Sequence, residues 1–352
     1  MHDSGAGSVT TARAVVYTDT GGPEVLHVVD RQIRAPGPGE VRVRMHRSGV
    51  NPTDWKSRQG GGERQPVDPP QVPGHDGAGV VEAVGSGVEA AWHGLRVWVW
   101  EVAHQRADGT AQELAVVPAR QIVMLPDAAS FDLGASLGVP FVTAHRCLTV
   151  TEEGPKRLGP GTLTNRIVLV QGGAGAVGNA AIQLARWCDA TIIATVSSPE
   201  KAQLAAAAGA NHVINYRQQD VVHEINKITP RGVDTIVEVS PAANASIDAA
   251  VLGRGGSVAI YASDGGNDFT VPVRPNMVQN ARWQFVLLYT APGEAKTIAV
   301  EDIATALLDG AIRTGPEAGL PLHHFPLDRA ADAHAAVQSG AVGKVLIDVA
   351  EE

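Results

Sequence analysis

Apolar residues along the chain fall into two textures. From Ala12 to about Ala119 they form short runs broken by Gly and Pro, among them Ala14–Tyr17, Val41–Arg44, Gly79–Val84 and Val97–Trp100. Dense turn signals between short strands predict a compact, partly closed β domain. From about Leu133 to Ala291, apolar strands alternate with helical stretches. The strands read Ile167–Val170, Thr191–Val196, His212–Ile214, Thr235–Val239, Ser257–Tyr261 and Gln284–Tyr289; the helices read Asn179–Trp187, Pro199–Ala208, Gln219–Ile228 and Ala242–Leu252. Strands that are apolar at almost every position belong to a parallel sheet covered by helices on both faces. The pattern therefore predicts an α/β fold with a six-stranded, doubly wound sheet. A tail with helices at Ile303–Leu308 and Ala330–Gln338 and a last strand, Lys344–Val349, is expected to rejoin the β-rich domain. The expected domains are 1–140 with 292–352, and 141–291. Residues 1–11 read as disordered, and Thr151–Arg166 as a surface loop.

Composition narrows the function. A chain of 352 residues suits two domains. Its net charge of -9 makes a nucleic-acid partner unattractive, because phosphate backbones are repelled. Two cysteines, Cys147 and Cys188, provide neither a disulfide framework nor a thiolate metal cage. The segment Met1–Thr11 lacks a basic stretch followed by an apolar one, so no signal peptide is expected. Gln171, Asn179 and Gln183 interrupt the most apolar stretch, Ile167–Ala185, so no membrane span is expected either. The cytoplasm is the expected location.

The chemistry begins at Gly173-Ala174-Gly175-Ala176-Val177-Gly178. A predicted strand precedes this G-x-G-x-x-G run and a predicted helix follows, the setting of the Rossmann dinucleotide site. Gly173 is expected to permit the tight turn, Gly175 to admit the pyrophosphate, and Gly178 to let helix and strand pack closely. The helix N-terminus offers free N–H groups and the positive end of a dipole to the phosphates. Where NAD binders carry Asp or Glu at the end of the second strand, this chain has Ser197 and Ser198, then Lys201. Hydroxyls and an ammonium suit a 2′-phosphate, so the expected cofactor is NADPH; Glu200 is a contrary charge. Tyr216 and Arg217 follow the third strand, while Ser240 and Ala262-Ser263 sit at the ends of the fourth and fifth, where open α/β sheets bind ligands.

The motifs Ser48-Gly49-Val50-Asn51-Pro52-Thr53-Asp54, Val72-Pro73-Gly74-His75-Asp76-Gly77-Ala78-Gly79-Val80-Val81, Val139-Pro140-Phe141-Val142-Thr143-Ala144, Asn215-Tyr216-Arg217 and Gly343-Lys344-Val345-Leu346 accompany the glycine turn. With them the chain resembles the zinc-free quinone oxidoreductase branch of the medium-chain dehydrogenase/reductase family, the branch that includes zeta-crystallin. The resemblance implies a GroES-like catalytic domain beside the Rossmann domain. Zinc-using relatives need a Cys where this chain has Asn51, so no metal is expected, and His75 reads as a hydrogen-bonded structural residue. The resemblance further implies that Asn51 and the residue at the place of Lys56 approach the nicotinamide, and that Thr143 contacts the cofactor. Asp54 reads as the cap of a helix starting at Trp55. The expected activity is NADPH-dependent hydride transfer to a quinone or related conjugated carbonyl, in a pocket between the domains. An enoyl-thioester reductase and a non-catalytic NADPH- or nucleic-acid-binding protein are the alternatives. Relatives of this kind pair as homodimers through the edge of the Rossmann sheet.

Overall fold

A computed structural model describes residues 10–350. In chain order the elements are β1 (Thr10–Asp19), β2 (His27–Ile33), β3 (Glu40–Val50), α1 (Pro52–Gln59), β4 (Pro66–Gln71), β5 (Asp76–Val84), β6 (Arg96–Val99), β7 (Leu114–Pro118), β8 (Ile122–Met124), α2 (Phe131–Gly134) and α3 (Gly138–Leu148). There follow β9 (Ile167–Val170), α4 (Ala176–Trp187), β10 (Thr191–Val196), α5 (Pro199–Ala208), β11 (His212–Asn215), α6 (Val221–Ile228), β12 (Val233–Glu238), α7 (Pro241–Val251), β13 (Leu252–Ile260), α8 (Val273–Gln279), β14 (Arg282–Phe285) and α9 (Gly293–Leu308). The chain ends with β15 (Leu322–Pro326), α10 (Ala330–Gln338) and β16 (Lys344–Asp348).

The chain divides into two units, one of residues 1–139 with 322–352 and one of 140–321. In the first, β15, β16, β3, β5, β6 and β8 form a sheet in that order, with β7 also on β3, and β2, β1 and β4 form a second. Alternate residues of β3, β6, β7 and β16, such as Val43, Met45, Val97, Val99, Ala115, Val117, Val345 and Ile347, fill one core. This is the GroES-like β-rich domain. Residues 1–9 of the segment expected to be disordered lie outside the described residues. Thr10 and Thr11 are strand residues paired with Ile33 and Gln32, which corrects that part of the expectation.

The second unit carries a parallel sheet in the order β11-β10-β9-β12-β13-β14, the doubly wound Rossmann arrangement. Leu169, Ile193, Ile236 and Val258 form its fully buried middle. The expected sixth strand is displaced: pairing with β13 covers Arg282–Phe285, and Leu288–Thr290 turns into a 3-10 helix.

The expected domain boundary at 292 also moves. The chain stays in the Rossmann unit until residue 321 because α9 belongs to its core, burying Ala299, Ile303, Ala306 and Leu307. Buried Asp302 fixes the helix further, facing the His145 ring nitrogen at 2.8 Å and accepting from the Leu158 N–H at 2.7 Å. Farther on, the Asn179 amide donates to the Ala318 carbonyl at 2.8 Å, and Gln183 exchanges two hydrogen bonds with the Arg313 backbone. Glu294, Lys296 and Thr297 interrupt the apolar pattern in the first half of α9, so only Ile303–Leu308 is marked as helical by the sequence.

Candidate active site

The glycine turn lies between β9 and α4. Gly172 takes the left-handed conformation (φ 71°), which most side chains disfavour. It, rather than Gly173, supplies the reversal. Gly173 is required by packing, since a Cβ there would lie 2.9 Å from that of Ala194. A Cβ on Gly178 would lie 2.4 Å from the Gly172 carbonyl oxygen and 3.0 Å from the Gly173 Cα, so its absence lets the helix close on the strand. Gly175 differs. It is exposed, its φ of -78° suits any residue, and a Cβ would meet only one atom, the Gly172 oxygen at 3.5 Å. The fold does not demand a glycine there. Gly175 is the N-cap of α4, no side chain caps the helix, and Ala176 and Val177 form its open first turn. Backbone donors at such a terminus fit a pyrophosphate.

Because β9 to β14 are parallel, their carboxyl ends share one edge with this turn. Half-buried Ser197 follows β10 there. Ser198 caps α5, accepting from the Lys201 N–H at 3.3 Å, so its hydroxyl serves the helix and Lys201 sits in the first turn. Tyr216 follows β11, half exposed, and Ser240 begins α7 with its hydroxyl donating to the Asp264 carbonyl at 2.6 Å. Ala262 and Ser263 follow β13. A cleft of about 500 Å³, lined by Gly172, Thr195, Tyr216, Val239, Ser240 and Asn244 among others, opens along this edge. Its size suits an adenosine-sized group. Thr143 lies buried on α3.

Sequence reasoning missed what lies beneath the cleft. The Thr195 hydroxyl donates to the Gln171 side-chain oxygen at 2.5 Å, and the Gln171 amide donates to Asp248 at 2.9 Å. Asp248 and Glu238 are both fully buried. Burial raises both carboxyl pKa values, and the negative charge of Glu238 pushes Asp248 further up. The Ser240 N–H and the Asn244 amide donate to Glu238. The signal was present in the sequence as Glu238 within an apolar strand and Gln171 directly after one.

The β-rich unit holds a second cluster. Asn51 caps α1, and the helix starts at Pro52, not Trp55. Asp54 is therefore the third helical residue. It reaches back to accept from the Asn51 N–H at 2.7 Å, as in a capping box, and from the Gly74 N–H at 3.1 Å. Burial pushes its pKa up to about 6. The Asn51 amide nitrogen donates to Asp76 at 2.7 Å, and the Lys344 ammonium donates to the Asn51 amide oxygen at 2.7 Å and to Asp76 at 3.4 Å. All four side chains are buried. Burial raises the Asp76 pKa and lowers that of Lys344, while their mutual attraction opposes both shifts. Lys56 stands apart from this cluster, exposed on α1 with its ammonium 5.7 Å from the Trp55 ring centroid. His75 is buried, which brings its pKa down to about 4. Both cysteines are buried, with burial pushing Cys147 up to about 12 and Cys188 to about 11, so neither is an activated thiol.

Comparison with known proteins agrees with this fold. The family model described as "Alcohol dehydrogenase GroES-like domain" matches residues 37–127, and that described as "Zinc-binding dehydrogenase" matches 176–305. The human quinone oxidoreductase is 31% identical over 341 residues, covering 95% of this chain and 97% of that protein. The pig quinone oxidoreductase is 32% identical over 334 residues, 93% and 94% of the two chains. Among solved structures, an NAD-dependent alcohol dehydrogenase superposes with a TM-score of 0.83 at 28% identity, covering 96% of this chain and 100% of the other. The Escherichia coli quinone oxidoreductase complexed with NADPH gives 0.78 at 27% identity, again covering 96% and 100%. The zinc in the name of one family model does not fit the residues present. Among the described residues no group of three or more His, Cys, Asp or Glu could hold a metal ion. Asn51 and Asp76 instead hold an ammonium, whose charge would repel a dication.

Proposed function

The chain belongs to the medium-chain dehydrogenase/reductase family and is an NAD(P)-dependent oxidoreductase, and from that premise we propose that it uses NADPH to reduce a quinone or related conjugated carbonyl. The observation that carries the cofactor assignment is Gly175, a glycine at the open mouth of the turn that the fold itself does not need. NADPH rather than NADH is favoured by Ser197 directly after β10 and Lys201 in the first turn of α5, where the residue at the strand's tip is a serine in place of a carboxylate; Glu200, beside Lys201, is a contrary charge.

When bound, the reduced nicotinamide supplies a hydride; a quinone taking that hydride and one proton becomes a hydroquinone. The residues of the chain bind and orient. The first turn of α4 holds pyrophosphate, the cleft beside Tyr216 and Ser240 takes the adenosine, and Thr143, Ala262 and Ser263 complete the cofactor site. We assign Asn51 to the nicotinamide end as a hydrogen-bond donor, and Lys56, exposed one turn along α1, to proton delivery from the solvent side. Much of the acceleration then comes from holding donor and acceptor together.

The second unit also presents an edge suited to another copy of itself. Strand β14 ends the sheet, and Phe285 on it is 65% exposed. Leu287 beyond it and Val273, Met277 and Val278 on α8 are also exposed. An open apolar edge is a liability in a monomer and is removed by pairing two edges about a twofold axis. We propose a homodimer joined there. Among the described residues no helix is long and apolar enough to cross a membrane.

The test measures NADPH oxidation by absorbance with a small para-quinone, a crotonyl thioester and an enone in parallel, each repeated with NADH. Quinone turnover with preference for NADPH supports the proposal. Turnover of the thioester alone would replace it with an enoyl reductase.

A further inference from the structure

The buried cluster around Asn51 is built from three separate stretches of chain. Asn51 and Asp54 flank the start of α1, Asp76 opens β5, and Lys344 opens β16. One glycine makes room for its charges: a Cβ on Gly138 would lie 2.1 Å from an Asp76 carboxylate oxygen. A buried lysine costs stability unless its charge is met, so a chain that keeps one gains something else from it.

The gain lies in the amide. Its oxygen faces Lys344, which can only donate, and its nitrogen faces Asp76, which as a carboxylate can only accept. Turning the amide over would set NH₂ against ammonium and oxygen against carboxylate, two repulsions in place of two charge-assisted bonds. Asp76 is itself held, since its other oxygen accepts from the Val139 N–H at 2.8 Å. One amide hydrogen of Asn51 is left over, and no other orientation of the group is available.

We propose that Lys344 and Asp76 are positioning residues that fix Asn51 as a one-way hydrogen-bond donor, aimed at an oxygen that gains negative charge as the acceptor is reduced. The proposal rests on the reading that places Asn51 at the nicotinamide end. It accounts for three sequence markers at once, because the Ser48–Asp54, Val72–Val81 and Gly343–Leu346 motifs converge on one amide group. The role it gives Asn51 is that of a donor, the amide oxygen being engaged by Lys344.

The experiment compares the wild-type protein with Lys344→Met and with Lys344→Met/Asp76→Asn. The single variant strands a buried carboxylate and is open to misfolding; the double variant is neutral at both positions. Expected for the double variant is a kcat with quinone at least about tenfold lower, with the NADPH Kd within about threefold of wild type. An unchanged kcat overturns the proposal, and so does a parallel loss of kcat and NADPH binding, which marks general disruption. A spectroscopic readout is independent of turnover. In ¹⁵N-labelled wild type the Asn51 side-chain NH₂, assigned by its loss in Asn51→Asp, has proton shifts displaced by its bond to the Asp76 carboxylate, and in the double variant these shifts move towards those of an ordinary Asn amide. Signals identical in both overturn the proposal. An inactive wild type with these NMR signatures would refute the quinone-reductase reading alone.

Discussion

Gly175 and Gly178 stand three residues apart, and the structure predicts that adding one methyl group to each has opposite consequences. In Gly178→Ala the new carbon lies 2.4 Å from a backbone carbonyl oxygen and 3.0 Å from a Cα, atoms that cannot swing aside as a flexible side chain would. Overpacking of this kind costs about 1–3 kcal/mol and sometimes more. The gain in helix propensity, about 1 kcal/mol, offsets part of it. A net loss of about 1 kcal/mol lowers Tm by about 2–4 °C for a unit of this size. In Gly175→Ala the methyl has room and the backbone is already extended, so the only cost is a poorer N-cap, below about 1 kcal/mol. The methyl then stands where the pyrophosphate must approach, and NADPH affinity falls about tenfold or more, equivalent to about 1.4 kcal/mol. Calorimetric titration with NADPH and thermal melts of both variants without ligand measure the two effects. Gly175→Ala binding NADPH as tightly as wild type would refute the placement of the pyrophosphate. Gly178→Ala melting with wild type would refute the close approach of α4 to the turn.

Other expectations follow from the same site. Lys201→Ala lowers kcat/KM for NADPH about tenfold and leaves NADH unaffected, as expected for one ammonium on a 2′-phosphate; an unchanged preference sinks the NADPH assignment. Phe285→Asp places a charge on the β14 edge, and sedimentation velocity should then show monomer where wild type gives dimer; wild-type sedimenting as a monomer would remove the dimer proposal. Lys56→Met lowers kcat about tenfold without changing the NADPH Kd, and an unaltered kcat would take Lys56 out of the mechanism. The Glu238–Asp248 pair sets a pH dependence. Both pKa values are raised, so the folded chain keeps protons that the unfolded chain releases, and stability falls as pH rises from about 4 through the raised values. Asp248→Asn still offers Gln171 an acceptor oxygen and makes that decline shallower; urea midpoints across this range that slope equally in both proteins would contradict the raised Asp248 pKa.

The contrast between what the sequence discloses and what it hides comes down to how local each cause is. The six-stranded sheet and the glycine turn are legible because apolar runs and the G-x-G-x-x-G spacing are contiguous in the chain. Even there, the division of labour among the glycines is a matter of atoms outside the motif. Gly172 carries the positive φ, and Ala194, on the neighbouring strand, decides that position 173 must be glycine. The sequence pattern discloses only Ile303–Leu308 of α9, because Glu294, Lys296 and Thr297 interrupt its first turns, and its allegiance is set by His145 and Leu158, about 150 residues away.

Asn51 shows the same limit more sharply. Its sequence position suggests a residue at a reacting centre, but the orientation of its amide is decided by Asp76 and by Lys344, 293 positions along the chain. Lys344 left one local trace, a charge at the head of the apolar run Val345-Leu346-Ile347, where a lysine in the first position of a strand is ordinarily exposed. Only the pairing of β16 with β3, Val345 opposite Val50, brings that ammonium to the end of the strand that leads into α1. A charge inside a predicted apolar strand is thus a signal worth reading in its own right. Glu238 in β12 and Lys344 in β16 are both of this kind, and each proves to be the buried anchor of a polar network beside a proposed functional residue, Ser240 in one case and Asn51 in the other.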